Sequence, residues 1–97
     1  MAAWPDEDEL AQVLNVDNAE DWETTLERVL SAAIAQVKAD IGYWDEGTDV
    51  PTDAQAQAAL RMAELISARP TEPVAGLAAD PTYRTLLTGS RRVFGIA

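Results

Sequence analysis

One stripe of side chains constrains this chain more than anything else in it. Trp22, Leu26, Val29, Leu30, Ala33, Val37 and Ile41 step by three and four residues along a single helical face. Asn18 followed by Asp21, or Asp17 followed by Glu20, offers an N-cap with an acid three residues on, and Gly42 offers the stop. The spacing predicts a long amphipathic helix over residues 19–41, with Glu20, Glu23, Glu27 and Lys38 on the face turned away from the stripe. An apolar stripe of that length needs other elements to cover it.

The flanking segments can supply that cover. Leu10, Val13 and Leu14 recur at helical spacing behind the acidic run Asp6, Glu7, Asp8, Glu9, which complements a helix N-terminus, so a short helix is expected over residues 6–16. Residues 43–52 (YWDEGTDVPT) mix glycine, proline and acids, and predict a loop whose two aromatics fold back onto the core. Thr52 and Gln55 have the spacing of a capping box and open a helix over residues 53–68. Its apolar face (Ala56, Ala59, Leu60, Ala63, Ile66) is alanine-rich, which permits close helix approach, and Met62 and Leu65 widen it. Pro70 and Pro73 end that helix and start a segment without readable periodicity. Asp80 before Pro81 is the pattern of an N-cap and first helical residue, so a fourth, short helix is expected over residues 82–88, with Gly89 ending it and a basic, apolar tail over residues 89–97. The expected fold is all-α, a small bundle of about four helices in one domain with an extended C-terminal tail. Its core is expected around Trp22, Leu26, Leu30, Leu60 and Ile66. Each of the three tryptophans can bury about 200 Å², worth up to ~5 kcal/mol.

The residue inventory argues against catalysis. There is no histidine and no cysteine, so Ser31, Ser67 and Ser90 lack an imidazole base, and Lys38 is the only lysine that could replace one. Asp45 and Asp49 make a carboxylate pair only in the sense that many loop acids do. The acids of residues 45–53 do not alternate as a calcium loop requires, and no glutamate closes the set. The five glycines are scattered and form no phosphate-binding loop, and no Asp-Ser pair marks an acyl-carrier serine. No catalytic residue, cofactor or metal ligand is therefore expected. No apolar run approaches a membrane span, and the N-terminus is acidic where a signal peptide is basic, so a soluble, untargeted protein in an intracellular or particle-bound setting is expected.

Charge divides the chain. The net −10 is the balance of −12 over residues 1–53 and +2 over residues 54–97. Seven basic residues spread along the chain do not make a surface that grips nucleic acid, whereas the acids readily make one that repels it. The acidic half and the basic, apolar tail suit different partners.

The order of elements resembles a known family. An acidic short helix, a long amphipathic helix, a loop with aromatics, an alanine-rich helix ending at Arg69, a proline-rich loop and then DPTYRTLLTGSRRVFGIA are similar to the head-to-tail connector (adaptor) proteins of long-tailed bacteriophages, particularly those of actinobacterial hosts. In such proteins an Asp-initiated helix with a leucine pair, here Leu86 and Leu87, runs into an Arg-rich, Phe-Gly-containing end, here Arg91, Arg92, Phe94 and Gly95. The resemblance covers nearly the whole chain. It implies a homo-oligomeric ring, a dodecamer, in the virion neck beneath the portal protein, assembled in the host cytoplasm. A further connector, stopper or tail-completion protein would lie on its other side, and genomic DNA would pass through without sequence-specific binding. On that reading Glu20, Glu23 and Glu27 are candidate channel-lining acids, and Arg91, Arg92, Val93, Phe94 and Ile96 are portal or inter-subunit contacts. The rival expectation from charge alone is a monomeric acidic protein-binding module, a DNA mimic or antitoxin-like inhibitor.

Overall fold

The computed structural model describes residues 3–15, 22–42 and 44–88, with Glu23 described by its backbone alone. Among the described residues five helices follow in order: α1 (Glu7–Leu14), α2 (Glu23–Ile41), α3 (Asp53–Ala68), α4 (Val74–Leu77) and α5 (Pro81–Leu86). No strand occurs among the described residues, and the fold is a small all-α bundle.

Local chemistry sets the helix ends. Asp6 is the N-cap of α1, its Oδ1 accepting the Glu9 N–H at 2.9 Å, with Glu7, Asp8 and Glu9 in the first turn where the helix dipole favours them. Asn15 takes a left-handed conformation (φ 57, ψ 47) and stops α1 at Leu14, two residues short of the expected end. Gly42, at φ 101, ends α2 as expected, its N–H returning to the Lys38 carbonyl at 3.1 Å. α2 begins at Glu23, four residues later than expected, with Trp22 in a non-helical conformation (φ -111, ψ 2) at its N-cap and no side-chain cap bond; the expected caps at Asp17 or Asn18 lie outside the described residues.

α3 has the expected bounds. Thr52 Oγ1 accepts the Gln55 N–H at 3.1 Å while Gln55 Oε1 accepts the Thr52 N–H at 2.9 Å, so both halves of the capping box are made. This also explains why Gln55 can be buried. Asp80 caps α5 through the Tyr83 N–H at 3.0 Å, with Pro81 at the first position, so α5 begins one residue earlier and ends two residues earlier than expected. The segment that showed no periodicity contains the single-turn helix α4, too short to show a repeat. The expected tail, residues 89–97, lies outside the described residues.

α2 and α3 form the most extensive pair, α1 packs on both, α5 packs on α3, and α4 closes against α2 and α3. The stripe of α2 is buried through Leu26, Leu30, Ala33, Val37 and Ile41. Opposite it, α3 presents Ala58, Ala59, Met62 and Ala63, all fully buried, and the small side chains let the two backbones approach. Leu60 and Ile66 are half-buried at the edges of this seam rather than at its centre.

Candidate functional site

The polar side chains that are best placed for chemistry are committed to one another. Arg61 of α3 grips Asp80 with two parallel hydrogen bonds, Nε to Oδ2 at 3.0 Å and Nη2 to Oδ1 at 2.9 Å, and its Nη1 donates to Glu64 at 3.0 Å. The guanidinium hydrogen bonds, then the backbone N–H of Tyr83, hold the Asp80 carboxyl at about 2, below its ordinary value. Asp80 and then Glu64 raise the Arg61 pKa further above its normal range. Tyr83 of α5 is fully buried, and its hydroxyl donates to Asp40 Oδ2 of α2 at 2.6 Å, where Gln36 Nε2 also donates at 3.1 Å. Burial, followed by the Asp40 carboxylate, pushes the Tyr83 phenol up. These contacts bind α5 to α3 and α2.

The Asp80 pair has a pH signature. Its folded pKa lies below the ordinary 3.8, so the stability it contributes is complete above about pH 5 and is lost as pH falls towards 2. Asp80→Asn keeps an N-cap but removes the ionic grip. Its acid-unfolding profile, followed by far-UV circular dichroism, is expected to fall less steeply between pH 4 and pH 2 than that of the parent, relative to each protein at neutral pH. Parallel profiles would refute this role.

Two further clusters are structural. Lys38 Nζ lies 5.7 Å from the ring centroids of both Trp4 and Trp44, which tilt against each other at 5.2 Å, and it pairs with Glu46, so the N-terminal segment is clasped to the loop after α2. Trp44 therefore folds back onto the core as expected, while Tyr43 lies outside the described residues. In that loop the Asp45 carboxylate accepts the Gly47 N–H at 2.9 Å and the Asp49 carboxylate accepts the Asp45 N–H at 2.7 Å, so this acid pair shapes a turn. Among the described residues no group of three or more acids could hold a metal ion, and no helix is long and apolar enough to cross a membrane.

One open surface among the described residues is apolar. Leu14 of α1, Trp22, Thr25, Leu26 and Val29 at the start of α2, and Ile66, Ser67 and Pro70 at the end of α3 line a groove of about 290 Å³. Trp22, expected in the core, is 52% exposed here. The reason is positional. It precedes the first turn of α2, and the covering helices run out there: α1 has ended at Leu14 and α3 ends at Ala68, so one face of the indole forms a groove wall. A second cleft, between α1, α3 and α5, is lined by Val13, Leu60, Leu86 and two charged residues, Arg61 and Glu64, which pair with each other while Arg61 also holds Asp80.

The expected core residues Leu26 and Leu30 are buried, at 2% and 5% exposure. Glu27 is exposed on α2; Glu20 and the side chain of Glu23 lie outside the described residues, as do Arg91, Arg92, Val93, Phe94 and Ile96. The groove itself was not anticipated from the sequence, although the bulkiest residue of the stripe standing at its extreme end was the available signal. No protein-family model, curated protein or solved structure matches this chain.

Proposed function

We propose that this chain is a structural, non-catalytic assembly subunit: a head-to-tail connector forming a ring beneath a phage portal and joined on its far side to a further connector, stopper or tail-completion protein. The observation that carries this reading is the apolar groove walled by Trp22 on a bundle whose best-placed polar groups bond internally. A surface of that kind suits packing against protein. The element order that resembles connector proteins supplies the setting. An exposed acid on α2 supplies a use for a further face: Glu27 is exposed beside the buried stripe, and in a ring it would line the channel with Glu20 and Glu23 and repel the phosphates of passing DNA. Arg91, Arg92, Val93, Phe94 and Ile96 are then the portal or inter-subunit contacts.

A portal gene among the genes flanking this one, and co-expression with the protein that it encodes, test the reading. The expected product is a portal-bound ring, a dodecamer, visible by negative-stain imaging and by mass. Persistent failure to bind that portal sinks it. The net charge of −10 favours a second reading, a monomeric module that captures a basic partner. That reading requires capture to weaken steeply with salt, and salt-independent capture would exclude it.

A further inference from the structure

The clasp at the C-terminal end of α2 draws two acidic segments together. Trp4 stands just before the run Asp6, Glu7, Asp8, Glu9, and Trp44 just before Asp45 and Glu46, so the ring contact at 5.2 Å gathers both runs at one end of the bundle. Like charges gathered in this way repel. The residues that meet there include one cation, Lys38, whose Nζ lies 5.7 Å from each ring centroid and pairs with Glu46. The other base in residues 1–53 is Arg28, about 15 Å back along the axis of α2. Among the described residues Ala3, Trp4 and Pro5 make no backbone hydrogen bond, so the buried Pro5 and the clasped Trp4 fasten this segment by their side chains. The loop is instead bonded within itself, the Asp45 carbonyl accepting the N–H groups of Thr48 and Asp49 at 3.2 and 2.8 Å.

We propose that the positive charge of Lys38 is a latch: it holds residues 3–6 and the loop 44–49 shut as one unit, and neutralising this amine opens both while the α2–α3 pair stays folded. The faces of the two indoles carry negative potential, so one ammonium attracts both rings at once, which a neutral side chain of similar length does not. Lys38 lies in the last turn of α2, where the helix dipole also favours a cation. The two segments share that ammonium and touch each other, so its loss weakens both attachments together. The core is spared, because Val37 and Ile41 hold the buried stripe on another face of α2. Release does reach α1. Trp4 and Pro5 lead directly into its N-cap, Asp6, and a helix of 8 residues does not persist without packing. α1 supplies Leu14 to the groove and Val13 to the second cleft, so the latch sets how firmly a wall of each is held. Lys38 is the only lysine of the chain, so a modification that neutralises lysine amines has this one side chain to act on. None of this depends on the assembly reading.

Amide hydrogen exchange of the full chain, followed by NMR, tests the latch with two variants. Lys38→Gln removes the charge, and Lys38→Arg keeps both the charge and the ability to stack on indole. In Lys38→Gln the amides of Glu9 and Leu10, bonded to Asp6, and of Gly47, Thr48 and Asp49, bonded to Asp45, are expected to exchange about tenfold faster than in the parent. The amides of α3 should be unchanged, and Lys38→Arg should match the parent throughout. Chemistry on the parent repeats the comparison: reductive methylation keeps the charge and should leave exchange as it was, whereas acetylation removes it and should reproduce Lys38→Gln. Acetylated Lys38→Arg, modified at its α-amino group alone, should again match the parent. Parent-like exchange in Lys38→Gln would overturn the latch, and so would equal acceleration in Lys38→Arg, with or without acetylation. Acceleration of one segment without the other would overturn it too, as would acceleration extending through α3. Portal binding decides the assembly reading separately.

Discussion

Tyr83→Ala is expected to lower the unfolding free energy by about 3–5 kcal/mol, the cost of removing a fully buried aromatic ring. Tyr83 is among the largest fully buried side chains, and it joins α5 to the α2–α3 pair. The whole chain is expected to be stable by only about 5–15 kcal/mol, so this single change removes a large part of the total. Tyr83→Phe separates the ring from its hydroxyl. It deletes the 2.6 Å bond to Asp40 while keeping the packing, and should cost about 1–3 kcal/mol, because Asp40 loses a partner in a partly buried place. Gln36 remains bonded to Asp40 and keeps the smaller figure from growing. Urea unfolding is the check: both variants should lower the midpoint at unchanged slope, in the order alanine, phenylalanine, parent. A Tyr83→Phe midpoint equal to that of the parent would remove the hydrogen bond from this account. The raised phenol pKa gives an independent sign: ionising Tyr83 opposes folding, so its contribution is complete below about pH 10 and is lost as pH rises beyond that.

The sequence announces the helices more clearly than their assembly, for a physical reason. The Thr52–Gln55 box is a contact across three residues, and it marked the start of α3 correctly. Gly42 likewise marked the end of α2 through its own backbone conformation. The stop of α1 at the left-handed Asn15 is not legible to the residue, since asparagine tolerates that conformation without requiring it. α4 contains a single turn, in which no period can repeat. The bonds that set the tertiary arrangement join residues 19 apart, Arg61 with Asp80, and 43 apart, Tyr83 with Asp40, and no local pattern encodes such pairings. The groove was hidden for a related reason. Periodicity identifies the face of a helix that is apolar, but the length of that face that finds cover depends on where the neighbouring helices end.

That distinction predicts an inversion between residue size and stability. Leu30→Ala is expected to cost about 2–5 kcal/mol, because Leu30 sits at 5% exposure in the middle of the α2 stripe and its loss leaves a cavity. Trp22→Ala removes a much larger side chain from the same stripe yet should cost at most about 2 kcal/mol, since roughly half of the ring already faces water and its area remains exposed on unfolding. Chemical denaturation of the two variants side by side checks the ranking, and a Trp22→Ala loss exceeding that of Leu30→Ala would return Trp22 to the core. The ranking should reverse for assembly. Leu30 touches the groove only through the fold it supports, so folded Leu30→Ala molecules should retain the parent's self-association at temperatures well below their unfolding transition. Trp22→Ala removes a wall of the groove and should lose self-association while remaining folded. A side chain that matters more to association than to folding is the mark of an interface, and within the stripe of α2 that mark is expected at the end where the bundle leaves the stripe uncovered.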